Sequence, residues 1–128
     1  MKEKLEKLLE NSYSPYYHFP VSAIVVTKDG QEFSGVNVEN ANGTSICAER
    51  NAIATAIASG YKKGDFDKIY LMLSNGKNGT PCFACRQVLQ EFMDREAKVI
   101  SIDKNGKEYE YTIEELCPYP FNEDDLYA

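Results

Sequence analysis

The stretch Cys47-Ala-Glu-Arg-Asn-Ala-Ile-Ala-Thr-Ala-Ile-Ala-Ser-Gly60 decides the fold class. It reads as a helix over Cys47–Ser59, rich in Ala and Ile and closed by Gly60 at a C′ position. Its apolar residues are not confined to one stripe, and a helix apolar on most faces is buried, here against a sheet. Thr44 and Ser45, in the loop Asn40–Ile46, are the candidate caps for its start. Upstream, Val21–Thr27 is apolar and β-branched, Lys28-Asp29-Gly30 is turn chemistry, and Gln31–Glu39 resumes as a strand, which together predict a hairpin. Before it lie a helix from Lys2 to Glu10, with Leu5, Leu8 and Leu9 on one face, and an ordered loop from Asn11 to Pro20.

Downstream, Lys68–Ser74 reads as a third strand, Asn75–Thr80 as a loop, and Cys82 to about Arg95 as a second amphipathic helix preceded by Pro81. Ala97–Asp103 and Lys107–Thr112 flank Asn105-Gly106, a short-hairpin signal. A helical turn over Ile113–Leu116 and an aromatic tail without a periodic element end the chain. Five strands with interleaved helices predict an α/β fold, a three-layer α/β/α sandwich around a mixed sheet, in one domain spanning residues 1–128. Both cysteine-bearing helices follow strands, so their N-termini are expected at one sheet edge, where open α/β folds bind ligands.

Charge and composition exclude several function classes. Fourteen basic against twenty acidic side chains leave a formal charge of -6, the opposite of what a phosphate backbone attracts, so no nucleic-acid partner is expected. No window approaches the about 18 apolar residues of a membrane span, and the charged segment Met1–Glu10 has no apolar core of a secretory signal. A cytoplasmic location is expected, where four cysteines serve as metal ligands or reactive thiols rather than disulfides. A single histidine excludes a multi-histidine metal site.

Chemistry concentrates in Cys47-Ala48-Glu49-Arg50 and Pro81-Cys82-Phe83-Ala84-Cys85-Arg86. Cys82 and Cys85, three apart at a helix start, share a face and can rotate onto one zinc ion, and Cys47 supplies a third ligand from another helix. Three protein ligands leave one tetrahedral position for water, the mark of a catalytic rather than a structural site. Zn²⁺ with three thiolates carries a net charge of -1, which two helix N-termini of about +0.5 each offset. Arg50 and Arg86 are expected to donate hydrogen bonds to the sulfurs. Glu49 projects away from its neighbouring ligand, Cys47, and suits a proton shuttle. Two other classes compete: a thiol redox protein built on Cys-x-x-Cys, and a closed structural zinc module. The latter needs a fourth ligand, and the spare thiol, Cys117, reads as a core residue.

The Cys-x-Glu … Pro-Cys-x-x-Cys pattern is a zinc deaminase signature. With Tyr13–Ala23, Gly35–Ala41, Ile46–Arg50, Ser59–Tyr61, Pro81–Phe92 and Glu114–Pro118, the chain resembles cytidine deaminases of the small homotetrameric kind, over roughly Tyr13 to Leu126. The resemblance implies one zinc per chain on Cys47, Cys82 and Cys85, with Glu49 as proton shuttle. It also implies that Asn37 and Glu39 hold the ribose hydroxyls, that Phe19, with Val21 and Ala48 nearby, lines the base pocket, and that Phe121 reaches into a neighbouring subunit's site. The implied reaction is hydrolytic deamination of cytidine and 2′-deoxycytidine by a homotetramer with shared active sites. Three departures stand out. The loop Asn40–Ile46 is about one residue short and lacks a usual tyrosine, Ser22 stands for a usual glycine beside the base pocket, and Phe83 replaces a small residue. A related group, the blasticidin S deaminases, also has an altered loop there, which makes an aminoacyl-nucleoside the alternative substrate.

Overall fold

The computed structural model describes residues 1–127. Five strands form a mixed sheet in the order β2-β1-β3-β4-β5: β1 (Val21–Thr27), β2 (Glu32–Val36), β3 (Phe66–Leu73), β4 (Met93–Ile102) and β5 (Glu108–Thr112). Both β2 and β3 run antiparallel to β1, while β4 runs parallel to β3 and β5 antiparallel to β4. Since β2 and β3 therefore point the same way, their C-terminal ends lie at one edge. The helices that follow them, α2 (Ala48–Ala58) and α3 (Phe83–Phe92), open there as expected.

Side-chain alternation divides the core into two layers. Ala23 and Val25 of β1, Ile69 and Leu71 of β3, and Val99 of β4 pack with Ala48, Ala52, Ile53 and Ala56 of α2 and Leu89 of α3. On the other face, Ile24, Met72, Ile100 and Ile102 pack against Leu5 of α1 (Lys2–Leu9), whose side chain is fully buried. The expected three layers are present. Ser22 belongs to the α1 face: its hydroxyl donates to the Leu5 carbonyl at 2.9 Å. It is therefore not beside the pocket, because its neighbour Val21 already points that way and successive strand residues face opposite sides.

The end of α2 forms a Schellman motif. Gly60, at φ +105°, donates to the Ile57 carbonyl and Tyr61 donates to the Ala56 carbonyl, at 3.0 and 3.2 Å. Its start departs from expectation. Cys47 is the N-cap and makes no side-chain capping bond, while the Thr44 hydroxyl is consumed inside its own loop by Asn40 and Asn42. β2 is shorter than expected: Val38 leaves the sheet to bridge Tyr13 and Ile46. The second helix ends at Phe92 rather than near Arg95, because Met93 is extended (φ -109°, ψ 150°) and pairs with Phe66. The tail after α4 (Ile113–Leu116) does form one short helix, α5 (Glu123–Tyr127), though none of its residues is buried.

Candidate metal and nucleoside site

Cys47 and Cys82 are the N-caps of α2 and α3, and Cys85 lies on the first turn of α3. Position N-cap favours Ser, Thr, Asp or Asn, so two cysteines there break a local rule, as residues kept for function do. Their Sγ atoms and that of Cys85 all lie within 4.8 Å of one another, and Cys47 and Cys82 are 3.7 Å apart. Thiolates at 2.3 Å from a tetrahedral ion stand about 3.8 Å apart. The three sulfurs therefore fit one zinc ion with little adjustment.

The electrostatics agree with that fit. Cys47 is held down to about 5 by a hydrogen bond from the Cys85 thiol and, against the effect of burial, by Arg50. Cys85 is pushed up by that same bond and by burial. Cys47 is thus the more acidic sulfur of the pair. Arg50 Nη2 donates to Cys47 Sγ at 3.3 Å, as expected, and its buried Nε has no hydrogen-bond partner. Its positive charge offsets part of what three thiolates bring.

Arg86 does something else. Its guanidinium donates to the Pro81 carbonyl at 2.7 Å, the Leu116 carbonyl at 3.1 Å and the Thr80 hydroxyl at 2.8 Å, so its bonds go to the chain around the cysteines, not to sulfur. The Phe83 ring lies 4.4 Å from the guanidinium carbon. That stacking gives the large residue inside Pro-Cys-x-x-Cys a role.

Beside the cysteines lies a cavity of about 440 Å³, lined by Phe19, Val21, Asn37, Glu39, Cys47, Ala48, Glu49 and Cys82 among others. That volume suits a small-molecule ligand. Every residue expected to touch substrate from within the same chain is in this wall. Phe121 is not; it lines a separate depression with Phe83, Gln87 and Tyr119. The wall also includes Tyr17, Leu73 and Thr80, which sequence reasoning did not select. Position alone would have found two of them: Leu73 ends β3 at the ligand-binding edge, and Thr80 immediately precedes Pro81-Cys82.

Glu49 is 5% exposed. Burial, reinforced by negative charge on Cys47, pushes its carboxyl up to about 7, so it can both take and give a proton near neutrality. Asn37 and Glu39 are already employed in building the wall. Asn37 Oδ1 accepts from Val21 N at 2.8 Å and from the Ser12 hydroxyl at 2.6 Å, and its Nδ2 donates to the Phe19 carbonyl at 2.8 Å. Glu39 Oε1 accepts from the amides of Tyr16 and Tyr17 at 2.9 and 3.2 Å. His18, between Tyr17 and Phe19, is at φ +54°, a turn that delivers Phe19 to the cavity.

Residues 1–101 match the cytidine and deoxycytidylate deaminase zinc-binding region. The chain belongs to that deaminase family. It is 35% identical to the cytidine deaminase of Mycoplasma genitalium over 115 residues, 89% of this chain and 87% of that one. The crystal structure of cytidine deaminase from Burkholderia pseudomallei superposes with a TM-score of 0.86 at 36% identity, covering 93% of this chain and 94% of that one. The blasticidin-S deaminase of Bacillus cereus is a more distant relative, 31% identical over 128 residues, 93% of this chain and 85% of that protein.

Proposed function

We propose that this deaminase family member hydrolyses cytidine and 2′-deoxycytidine to uridine and 2′-deoxyuridine, releasing ammonia. The observation that carries the reading is the buried Glu49 carboxyl in the same cavity wall as Cys47 and Cys82. Cys47, Cys82 and Cys85 would hold a zinc ion, which when bound would supply the Lewis acidity that makes water a nucleophile at neutral pH. Glu49 accepts the proton that the attacking water gives up and delivers one to N3 of the pyrimidine. Once the water oxygen has bonded to C4, Glu49 takes the proton still on that oxygen and passes it to the amine, so that C4=O forms as the C4–N bond breaks and ammonia leaves.

Phe19 packs against the base, with Val21 and Ala48 completing that wall. The ribose end follows from what remains free on two side chains. Asn37 has both Oδ1 lone pairs taken and one Nδ2 hydrogen to spare, while Glu39 keeps its second oxygen. A sugar diol therefore donates to Glu39 and accepts from Asn37. An ultraviolet assay of the zinc-loaded protein on cytidine, 2′-deoxycytidine and blasticidin S, with cytosine and cytidine monophosphate as controls, tests the reading. Turnover of the two nucleosides above the rest is expected, and none with either would refute it.

Assembly follows from the tail. Tyr119, Phe121 and Phe83 are 96%, 57% and 79% exposed, an apolar patch outside the cavity that a neighbouring subunit's surface would cover. We read the assembly as a cytoplasmic homotetramer in which Phe121 closes the next subunit's base site. Among the described residues, no helix is long and apolar enough to cross a membrane. Mixing Phe121→Ala with Glu49→Gln subunits should recover activity, because hybrids place an intact Phe121 over an intact Glu49. Strict additivity across mixing ratios, with subunit exchange demonstrated, would show that each site is built from one chain.

A further inference from the structure

We propose that Arg86 is a positioning residue that locks the metal-binding end of α3 to the C-terminal segment, so that zinc retention depends on that clasp. The proposal rests on the reading of Cys47, Cys82 and Cys85 as the zinc site.

Three side chains hold residues 116–121. Arg86 Nη1 donates to the Leu116 carbonyl, Arg95 Nη1 to the Cys117 carbonyl at 2.9 Å, and Gln87 Nε2 to the Phe121 carbonyl at 2.6 Å. All three acceptors are backbone groups, so the position of the segment is fixed whatever its side chains. Arg86 differs from the other two in what its remaining donors do. They reach Pro81, adjacent to Cys82, and Thr80, which lines the nucleoside cavity. The planar fork thus spans three points of chain that share no secondary structure: the approach to a zinc ligand, the cavity wall and the C-terminal segment. Cys82 is an exposed N-cap without a side-chain capping bond; its carbonyl accepts from the Arg86 amide at 2.9 Å, so the same residue holds Cys82 by its backbone and the preceding Pro81 by its side chain. The Phe83 ring stacks on the guanidinium, its centroid 4.4 Å from the guanidinium carbon. A lysine cannot replace the fork, because one ammonium does not reach three divergent acceptors.

Partners that orient a metal's ligands change metal affinity by 10–100-fold when removed. The test is the rate at which zinc passes from the loaded protein to a coloured chelator, a measurement that involves no nucleoside. Arg86→Gln should release zinc about tenfold faster, and Arg86→Lys, which keeps the charge and loses the fork, at least about threefold faster. Arg95→Gln loosens the same segment without touching Thr80 or Pro81. It should release zinc at the wild-type rate while raising hydrogen exchange over residues 116–121. A folded Arg86→Gln or Arg86→Lys protein that keeps the wild-type rate overturns the proposal, as does an Arg95→Gln protein that loses zinc as fast as Arg86→Gln. Wild-type protein that takes up no zinc overturns the metal reading and the proposal with it.

Discussion

Glu49→Gln should leave zinc bound while kcat falls by about 10⁴-fold or more. Glutamine keeps the size of the side chain and one of its two oxygens but has no proton-accepting oxygen of comparable basicity. A single general acid–base group contributes about 10²–10⁴-fold, and Glu49 is asked to act on the attacking water, on N3 and on the leaving amine. Its environment is built for repeated transfer: a carboxyl brought by burial to about 7 loses and regains a proton with little cost near neutral pH. The substitution also removes a buried group of high proton affinity from beside the thiolates, so zinc content should not fall. Zinc by atomic absorption and single-turnover kinetics separate the two effects. Retention of more than about a tenth of wild-type kcat, far outside the range for such a group, would remove Glu49 from the mechanism, and loss of zinc would make it a structural residue.

The sheet and the metal cluster were legible because both have short-range signatures. The apolar, β-branched run of Val21–Thr27, the Asn105-Gly106 turn and the spacing of Cys82 and Cys85 are written within a few residues. The end of α3 was not legible, because the helical period of Cys85, Leu89, Phe92 and Met93 continues past the point where Met93 pairs with Phe66, a contact across 27 positions of chain. Arg86 was misread for a related reason. Proximity in sequence to Cys85 suggested a sulfur partner, whereas the Leu116 carbonyl that competes for it lies 30 residues away. Thr44 and Ser45 had the right chemistry for helix caps, but the zinc site needs cysteine at the cap, and function displaced the local preference. Asn37 and Glu39 show a limit of another kind: a resemblance assigns them to the sugar, and the geometry adds that the same side chains hold the Tyr16–Val21 wall in place.

Gly35→Ala should be among the most damaging single-atom-scale changes in the molecule, although Gly35 touches neither metal nor cavity. Gly35 pairs with Ala23 in the sheet and faces the first turns of α2. A Cβ added there would meet the Ala48 carbonyl oxygen at 2.3 Å and the Ala52 nitrogen at 2.4 Å. Both obstacles are backbone, so no rotamer change relieves them, and α2 must move away from β2. The helix is also tied to that strand by Asn51 Nδ2, which donates to the Val36 carbonyl at 3.0 Å and would be strained by the same movement. Overpacking costs about 1–3 kcal/mol where side chains can adjust, and here the upper end is expected, a fall in Tm of about 10 °C for a domain of this size. The displaced turn is the one that carries Cys47, Ala48 and Glu49. A shift of about 1 Å in catalytic geometry costs on the order of 10²-fold in rate, so kcat/KM should fall even at temperatures where the protein is fully folded. Adding Ala52→Gly should not rescue it, since the atoms in the way, N and Cα of residue 52, remain. A Gly35→Ala protein with wild-type Tm and wild-type kcat/KM would mean that α2 does not sit on β2 as described, and the placement of Glu49 over the nucleoside cavity would fall with it.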